Sequence, residues 1–268
     1  MIESIADLGL IEDEAIDLDR AALRLAALDL PDADLKPCEA YLGDLAAEIA
    51  AASIGAGSGA RRAATLRAIL SDKHDFRGDS DTYEDAANAN LISVLDRRRG
   101  LPVALAILYV AQARRQGWQA DVLNTPGHIV ASLTDEAGQV VIDPYNRGRQ
   151  LTAKTLQEVI RRATGSWQPL DPAGWTPMEN RAVLVRLLNN QTVRAVQAGK
   201  LERAATLYER MTTIAPTVAY LWWERAQIEW QLGRNREARS SLSALLETAT
   251  DEARRRQAIH LLDSIPHE

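Results

Sequence analysis

The sequence predicts an α+β protein: helices lead into one small antiparallel sheet, and an all-helical tail follows. Three observations predict it. Ala and Leu dominate the apolar residues and Phe occurs once, a composition that favours helix. After Gly117 the apolar spacing changes from every third or fourth residue to every second, the mark of strands. Toward the C-terminus, Gly199 and Gly233 lie 34 residues apart, as do Ala204 and Ala238, which is the period of a helix-turn-helix repeat.

The elements follow in order. Ala15, Leu18, Ala22, Leu25 and Leu28 give a first helix, and Pro31 is expected to end it. Tyr41, Leu42, Leu45 and Ile49 form one stripe of a second helix, roughly 35–51. The glycine-rich run Ser53–Arg62 reads as a loop; no strand precedes it and no GK[ST] follows, so it is not a phosphate cradle. A short helix is expected over 63–70, then a polar turn-rich loop, "HDFRGDSDTYEDAANANL", and another short helix over 90–99 closed by Gly100. "GLPVALAILYVAQARRQGW" opens with Pro102 where a first helical turn tolerates it and closes with Gly117. From Val103 to Ala111 it is apolar nearly all round, so this helix should be buried.

"QADVLN", "HIVASLT" and "QVVIDP" predict three antiparallel strands, the last two joined through "DEAG". Thr152 or Thr155 caps a helix running to about Ala163. The stretch "GSWQPLDPAGWTPMENR", with three prolines, reads as an interdomain connector. The expected domains are a helical arm over 1–60 packed on the core, the core over 61–170, a connector over 171–181, and repeats over 182–268. Within the last, the copies are 185–218 and 219–252, followed by a capping helix.

Composition excludes several classes of function. A net charge of −6 and a pI near 5.4 argue against nucleic acid as a partner. The single cysteine, Cys38, can form neither an internal disulfide nor a thiolate metal site. No window reaches the roughly 18 apolar residues of a membrane span, and the acidic N-terminus lacks the pattern of a secretory signal. The expectation is a soluble cytoplasmic protein with no membrane partner, no metal and no cofactor. His74, Asp75, Asp79 and Asp81 cluster in sequence, but their spacing fits neither an EF-hand nor a zinc motif.

The repeats match the tetratricopeptide pattern through Tyr208 and Pro216 in the first copy and Trp222 and Ala226 in the second; Thr192 and the missing second proline depart from it. Upstream, "DTYEDAANANLISVLDRRRGLPVALAILYVAQARRQGW", "PGHIVAS" and "IDPYNRGR" complete a likeness that covers nearly the whole chain. The sequence resembles the bacterial transglutaminase-like proteins that carry C-terminal tetratricopeptide repeats. The resemblance implies a papain-like core in which a buried helix presents a Cys at its N-terminus and the adjacent sheet carries a His and then an Asp. A helix N-terminus lowers a thiol pKa, His takes the proton and the acid fixes the tautomer. Carried onto this chain, the base is His128 and the orienting acid Asp143. The nucleophile position falls near Pro102, Val103 and Ala104, and none of these can attack a carbonyl.

A binding cleft is therefore expected around His128 and Asp143, with Asn88, Asn90, Arg97, Arg98, Pro102, Asn124, Pro126, Gly127, Tyr145, Asn146 and Arg147 as its candidates. The bland reading of the arginines, here and at Arg99, Arg114, Arg115 and Arg149, is solvated helix ends; that of the asparagines is turn-holding. On the repeats, Tyr208, Trp222, Trp223 and Trp230 are candidates for gripping a protein or peptide partner, against the plainer role of repeat core. Two readings of function result: a non-catalytic binding or scaffold protein, or a hydrolase or acyl-transfer enzyme using His128 and Asp143. Oligomeric state is left open by the sequence.

Overall fold

The computed structural model describes residues 4–30, 32–165 and 176–266. Pro31 and the part of the connector over 166–175 lie outside the described residues. The chain divides into two compact units, one of residues 16–184 and one of residues 4–15 with 185–266.

In the first unit, α1 (Leu18–Ala27) and α2 (Lys36–Ala52) are followed by α3 (Gly59–Leu66), which continues as a π-helical turn, Arg67–Lys73. A two-residue strand β1 (Arg77–Gly78) and a 3-10 turn, Ala86–Ala89, precede α4 (Leu91–Arg97). Strand β2 (Arg99–Gly100) pairs in parallel with β1 and delivers the chain into α5 (Pro102–Arg115). Four antiparallel strands then lie in sequence order: β3 (Gln119–Thr125), β4 (His128–Asp135), β5 (Gly138–Asp143) and β6 (Arg149–Leu151). Helix α6 (Ala153–Thr164) completes this part of the chain.

Helix α5 is the centre of the unit. Its residues from Pro102 to Ala113 are all buried, as an all-round apolar helix requires. One side packs on β3 and β4. Polar side chains fasten the other neighbours: Gln112 Nε2 donates to Leu42 O (3.1 Å) and Gln116 Nε2 to Ala46 O (3.1 Å), both on α2. Arg115 grips the fully buried Asp19 of α1 through both terminal nitrogens. On one face of the sheet, Leu123, Val130 and Val141 form an apolar cluster with Leu156 and Ile160 of α6. Thr152 and Thr155 both take part in the α6 cap, which is a reciprocal capping box.

Several elements differ from the sequence expectation. Helix α4 closes at Arg98, not Gly100: Arg98 adopts a left-handed conformation (φ 59°), and its guanidinium lies over the rings of Tyr41 (4.2 Å) and Phe76 (5.0 Å). Gly100 is instead a strand residue in β2. The expected helix over 63–70 starts earlier, where Ser58 caps α3 and Asp135 from the β4–β5 hairpin binds the Gly59 amide. A fourth strand, β6, joins the expected three; three residues are too few to show alternation.

In the second unit, α7 (Asn180–Gln197), which begins in the first, is followed by α8 (Leu201–Ile214), α9 (Ala219–Gln231), α10 (Asn235–Thr248) and α11 (Glu252–Ser264). Gly199 (φ 67°) and Gly233 (φ 73°) turn the chain between helices at matching points of the repeat, and both positions need a residue tolerant of positive φ. Ala226, Ala238, Leu242, Leu245, Ala258 and Ile265 form the core of α9 to α11, with Trp222 and Trp223 packed against it. The N-terminal 3-10 turn Asp7–Gly9 rests on α8, where Gly9 lies too close to Thr213 O for any side chain.

Candidate functional site

The site is built at the ends of β4 and β5. Pro126 and Gly127 turn β3 into β4, with Gly127 at φ 70° as a Pro-Gly type II turn requires. His128 is the first residue of β4, and Thr125 Oγ1 donates to its carbonyl (2.9 Å). Asp143 is the last residue of β5. The antiparallel register sets Ala131 opposite Ile142, so the two strand ends converge. His128 Nε2 lies 3.1 Å from Asp143 Oδ1.

Asp143 is fully buried, and each of its oxygens is bonded. Oδ1 also accepts from the Asn146 amide (3.2 Å), and Oδ2 accepts from Asn146 Nδ2 (2.6 Å). A carboxylate bonded at both oxygens holds its partner imidazole in one orientation. The proton between the pair then belongs on Nε2, and Nδ1 is the ring's available acceptor. Among the described residues no side chain bonds Nδ1. The His128 ring meets Tyr145 edge to face at 6.0 Å, and Tyr145 meets Tyr83 likewise at 6.2 Å.

The loop that carries Asp143 is tied down from two directions. The Gly78 amide donates to Tyr145 O (2.8 Å), and the Tyr145 hydroxyl donates to Asp79 O (3.0 Å). Beneath the loop, the hydroxyl of the buried Tyr109 would sit 2.8 Å from a Cβ at Gly148, so only glycine fits there. Burial raises the Tyr109 phenol well above its usual pKa.

At the N-terminus of α5 the side chains are hydrocarbon. Pro102, Val103 and Ala104 are buried, and the turn is braced by the Leu101 amide donating to Asn88 O (2.9 Å). Cys38 is in α2, where burial and the nearby carboxylates of Asp96, Asp34 and Glu39 raise its thiol pKa. The described partners of His128 do not include it.

Helix α5 and the sheet that carries the His-Asp pair fall within the residues that a family model matches. The model of the transglutaminase-like superfamily matches residues 36–189, more than half of the chain. The chain belongs to this superfamily. A tetratricopeptide-repeat model matches residues 195–262 of this transglutaminase-like protein. A UPF0162 protein of Xylella fastidiosa (strain 9a5c) is 30% identical over 247 residues, covering 90% of this chain and 86% of the relative. A UPF0162 protein of Pseudomonas aeruginosa is 27% identical over 246 residues, covering 92% and 90%. Human F-box only protein 21 is 30% identical over 100 residues, 34% of this chain and 16% of that protein.

The other candidate residues of the transglutaminase-like unit are distributed as follows. Asn146 and Tyr145 join His128 and Asp143 directly. Pro126, Gly127 and Asn124 are exposed around the β3–β4 turn. Asn88 and Arg97 belong to a neighbouring polar network: Arg97 donates to Asp79 Oδ2 (3.0 Å) and Asn88 Nδ2 to Thr82 O (2.7 Å). Asn90 caps α4 by accepting from the Ser93 amide and donates to Ala26 O (3.1 Å) in α1. Arg147 pairs with Asp75 (3.1 Å), which Arg99 also holds (3.1 Å), and Arg98 is stacked on Tyr41 and Phe76. These arginines are thus engaged within the fold.

His74, Asp75, Asp79 and Asp81 do not converge; no metal-binding cluster occurs among the described residues. His74 instead bridges Tyr41 (2.9 Å) and Glu48 (2.8 Å). In the repeats, Tyr208 is buried, Trp222 donates to Pro216 O (2.7 Å), Trp223 is half-buried, and Trp230 is exposed. No helix among the described residues is long and apolar enough to cross a membrane.

Two residues outside the cleft candidates lie against this site, one of them Asp79, which the sequence raises only as a candidate metal ligand. Tyr83 adds a second ring beyond Tyr145. Asp79 holds the loop that presents it, accepting from the amides of Asp81 (3.1 Å) and Thr82 (2.8 Å) and the Thr82 hydroxyl (2.6 Å). The signal for the second was present as D-x-x-T, an Asx-type turn pattern, inside a run that otherwise reads as plain polar loop.

Proposed function

We propose that the protein is a non-catalytic binding module of the cytoplasm, with a site at His128 and Asp143 that takes a peptide segment of a protein partner. The proposed organisation is a helical arm (1–60), the core (61–170), a connector (171–181) and repeats (182–268) that add a second partner surface. One observation carries the reading: Asp143 and Asn146 fix an imidazole with an open Nδ1, while the helix tip expected to attack holds only Pro102, Val103 and Ala104. An oriented imidazole without a nucleophile is a hydrogen-bonding group for a ligand.

The test is selection of a random peptide library against the full chain. Enriched peptides should bind the wild type, lose most affinity to His128→Ala, and be recovered uncleaved by mass spectrometry.

A second reading rests on the same open Nδ1: His128 as general base toward water, making the protein a hydrolase. A panel of amides and esters separates the two. Turnover abolished by His128→Ala and unchanged by Cys38→Ser would establish the hydrolase and end the non-catalytic reading.

A further inference from the structure

The edge-to-face contacts from His128 to Tyr145 to Tyr83 make a continuous aromatic wall leading from the imidazole to solvent, where Tyr83 is 41% exposed. An exposed aromatic side chain is ordinary on its own. This one is held in place by the loop beneath it: Asp79 binds Thr82 and Asp81, Arg97 binds Asp79, Asn88 binds Thr82 O, and Tyr145 binds Asp79 O. A side chain presented on a loop with this many internal bonds is preorganised, so a ligand would not have to order it.

The charged side chains that act on Tyr145 are the carboxylates of Asp79, Asp143 and Asp81. Asp81 is exposed, and no cation among the described residues pairs with its carboxylate, which accepts only from the Ser80 hydroxyl (3.4 Å). The nearest guanidinium in this loop network, Arg97, is already neutralised by Asp79 (3.0 Å) and Asp85 (3.6 Å). Burial raises the Tyr145 phenol above its usual pKa, and Tyr83, Asp79, Asp143 and Asp81 add smaller contributions of the same direction.

Phenol rings attract cations through their faces, and an unpaired carboxylate beside them adds a counter-charge. We propose that Tyr83, Tyr145 and Asp81 form a cation subsite that holds a lysine ammonium or arginine guanidinium of the bound peptide next to His128. This deepens the peptide-binding reading and rests on it. The cation is held and no bond is made or broken. Tyr83 fixes which side chain is accepted; His128 fixes where the adjoining peptide group lies.

The test uses blocked alanine-based peptides carrying one central Lys, Arg, norleucine or Glu, titrated into the full chain labelled for ring resonances of tyrosine and histidine. The Lys and Arg peptides should shift Tyr83 and Tyr145 saturably, with affinity falling as salt rises. Tyr83→Leu should weaken them about three- to tenfold, and Asp81→Asn about two- to fivefold. Both positions are on the surface, so circular dichroism should be unchanged. Equal binding of the norleucine peptide, or unchanged affinity in both variants, overturns the cation subsite. If neutral peptides still shift His128 in that case, the peptide-binding reading stands without it. If no peptide in the set or in the library shifts His128, both readings fail.

Discussion

The tip of α5 and the ends of β4 and β5 meet opposite demands. At the helix tip, Pro102, Val103 and Ala104 are packed into the interior and offer no polar side-chain atom. At the strand ends, Asp143 is equally buried but bonded at each oxygen, and it holds an imidazole with one nitrogen open. A buried polar group persists only if it is bonded, whereas buried hydrocarbon needs only a good fit. In the non-catalytic reading proposed above, the strand ends supply an orienting pair and the described helix tip supplies no attacking group, so the two halves should answer mutation differently.

The largest effect should come from Asp143→Ala. It removes the bonds to His128 and Asn146 together and leaves the imidazole without its partner in a nearly closed setting. We expect a loss of about 3 kcal/mol in urea unfolding, from one lost charge-assisted network plus the polar groups left behind. A loss below about 1 kcal/mol would mean the pair is not a structural anchor, and the contrast with the helix tip would disappear.

Gly78→Ala comes next. Any Cβ at Gly78 overlaps the Tyr145 ring, which packs on the His128 ring and bonds Asp79 O. The expected cost is about 2 kcal/mol, in the range of an overpacked interior position. Because the ring must move, the His128 ring resonances should change although Gly78 does not touch the imidazole. Unchanged His128 resonances would show that Tyr145 is not coupled to the site.

Val103→Cys tests the other half. The change keeps the residue small and apolar and should cost about 1 kcal/mol. Val103 is 1% exposed, so iodoacetamide should modify Cys38 of the wild-type sequence faster than the new thiol. The reverse order would reveal an open, thiolate-favouring seat at the helix N-terminus, and the missing attack group would then be a matter of one side chain.

The unequal halves were also unequally legible in the sequence. His128 and Asp143 can be paired from the hairpin alone, since both runs alternate and the turn between them is short. Helix α5 is equally plain from its all-round apolar character and its Pro and Gly boundaries. The Tyr83 loop is another matter. It is held by Asp79 meeting Arg97 across 18 residues and Tyr145 reaching back 66, and local pattern carries no trace of such bonds. Strands β1 and β2 are two residues each, too short for periodicity, and they pair only because the chain around them is fixed. The left-handed Arg98 was hidden because nothing local favours that conformation for arginine; its ring contacts to Tyr41 and Phe76 supply the reason. What the sequence conceals is thus mostly polar, long-range and on the strand-end side.

The smallest effect concerns that concealed loop and depends on pH. Hydrogen bonds from the Thr82 hydroxyl, foremost, and from the Thr82 and Asp81 amides hold the Asp79 carboxyl down to a pKa of about 2. An unfolded Asp titrates near 3.9, so the folded state favours the ionised form. The resulting stabilisation is complete above about pH 4 and disappears as pH falls through about 2. Within that window Asp79 gains a proton, its bonds to Thr82 and Arg97 weaken, and Tyr83 loses its support. Amide exchange at Asp81 and Thr82 should therefore accelerate between pH 4 and 2 after correction for intrinsic rates, while the amides of α5 stay protected. Asp79→Asn should show the faster loop exchange already at neutral pH and no further step on acidification. A wild-type loop that exchanges at the same corrected rate throughout the window would mean the carboxylate is not what holds Tyr83 beside Tyr145, and the strand-end half would be less rigid than its bonding implies.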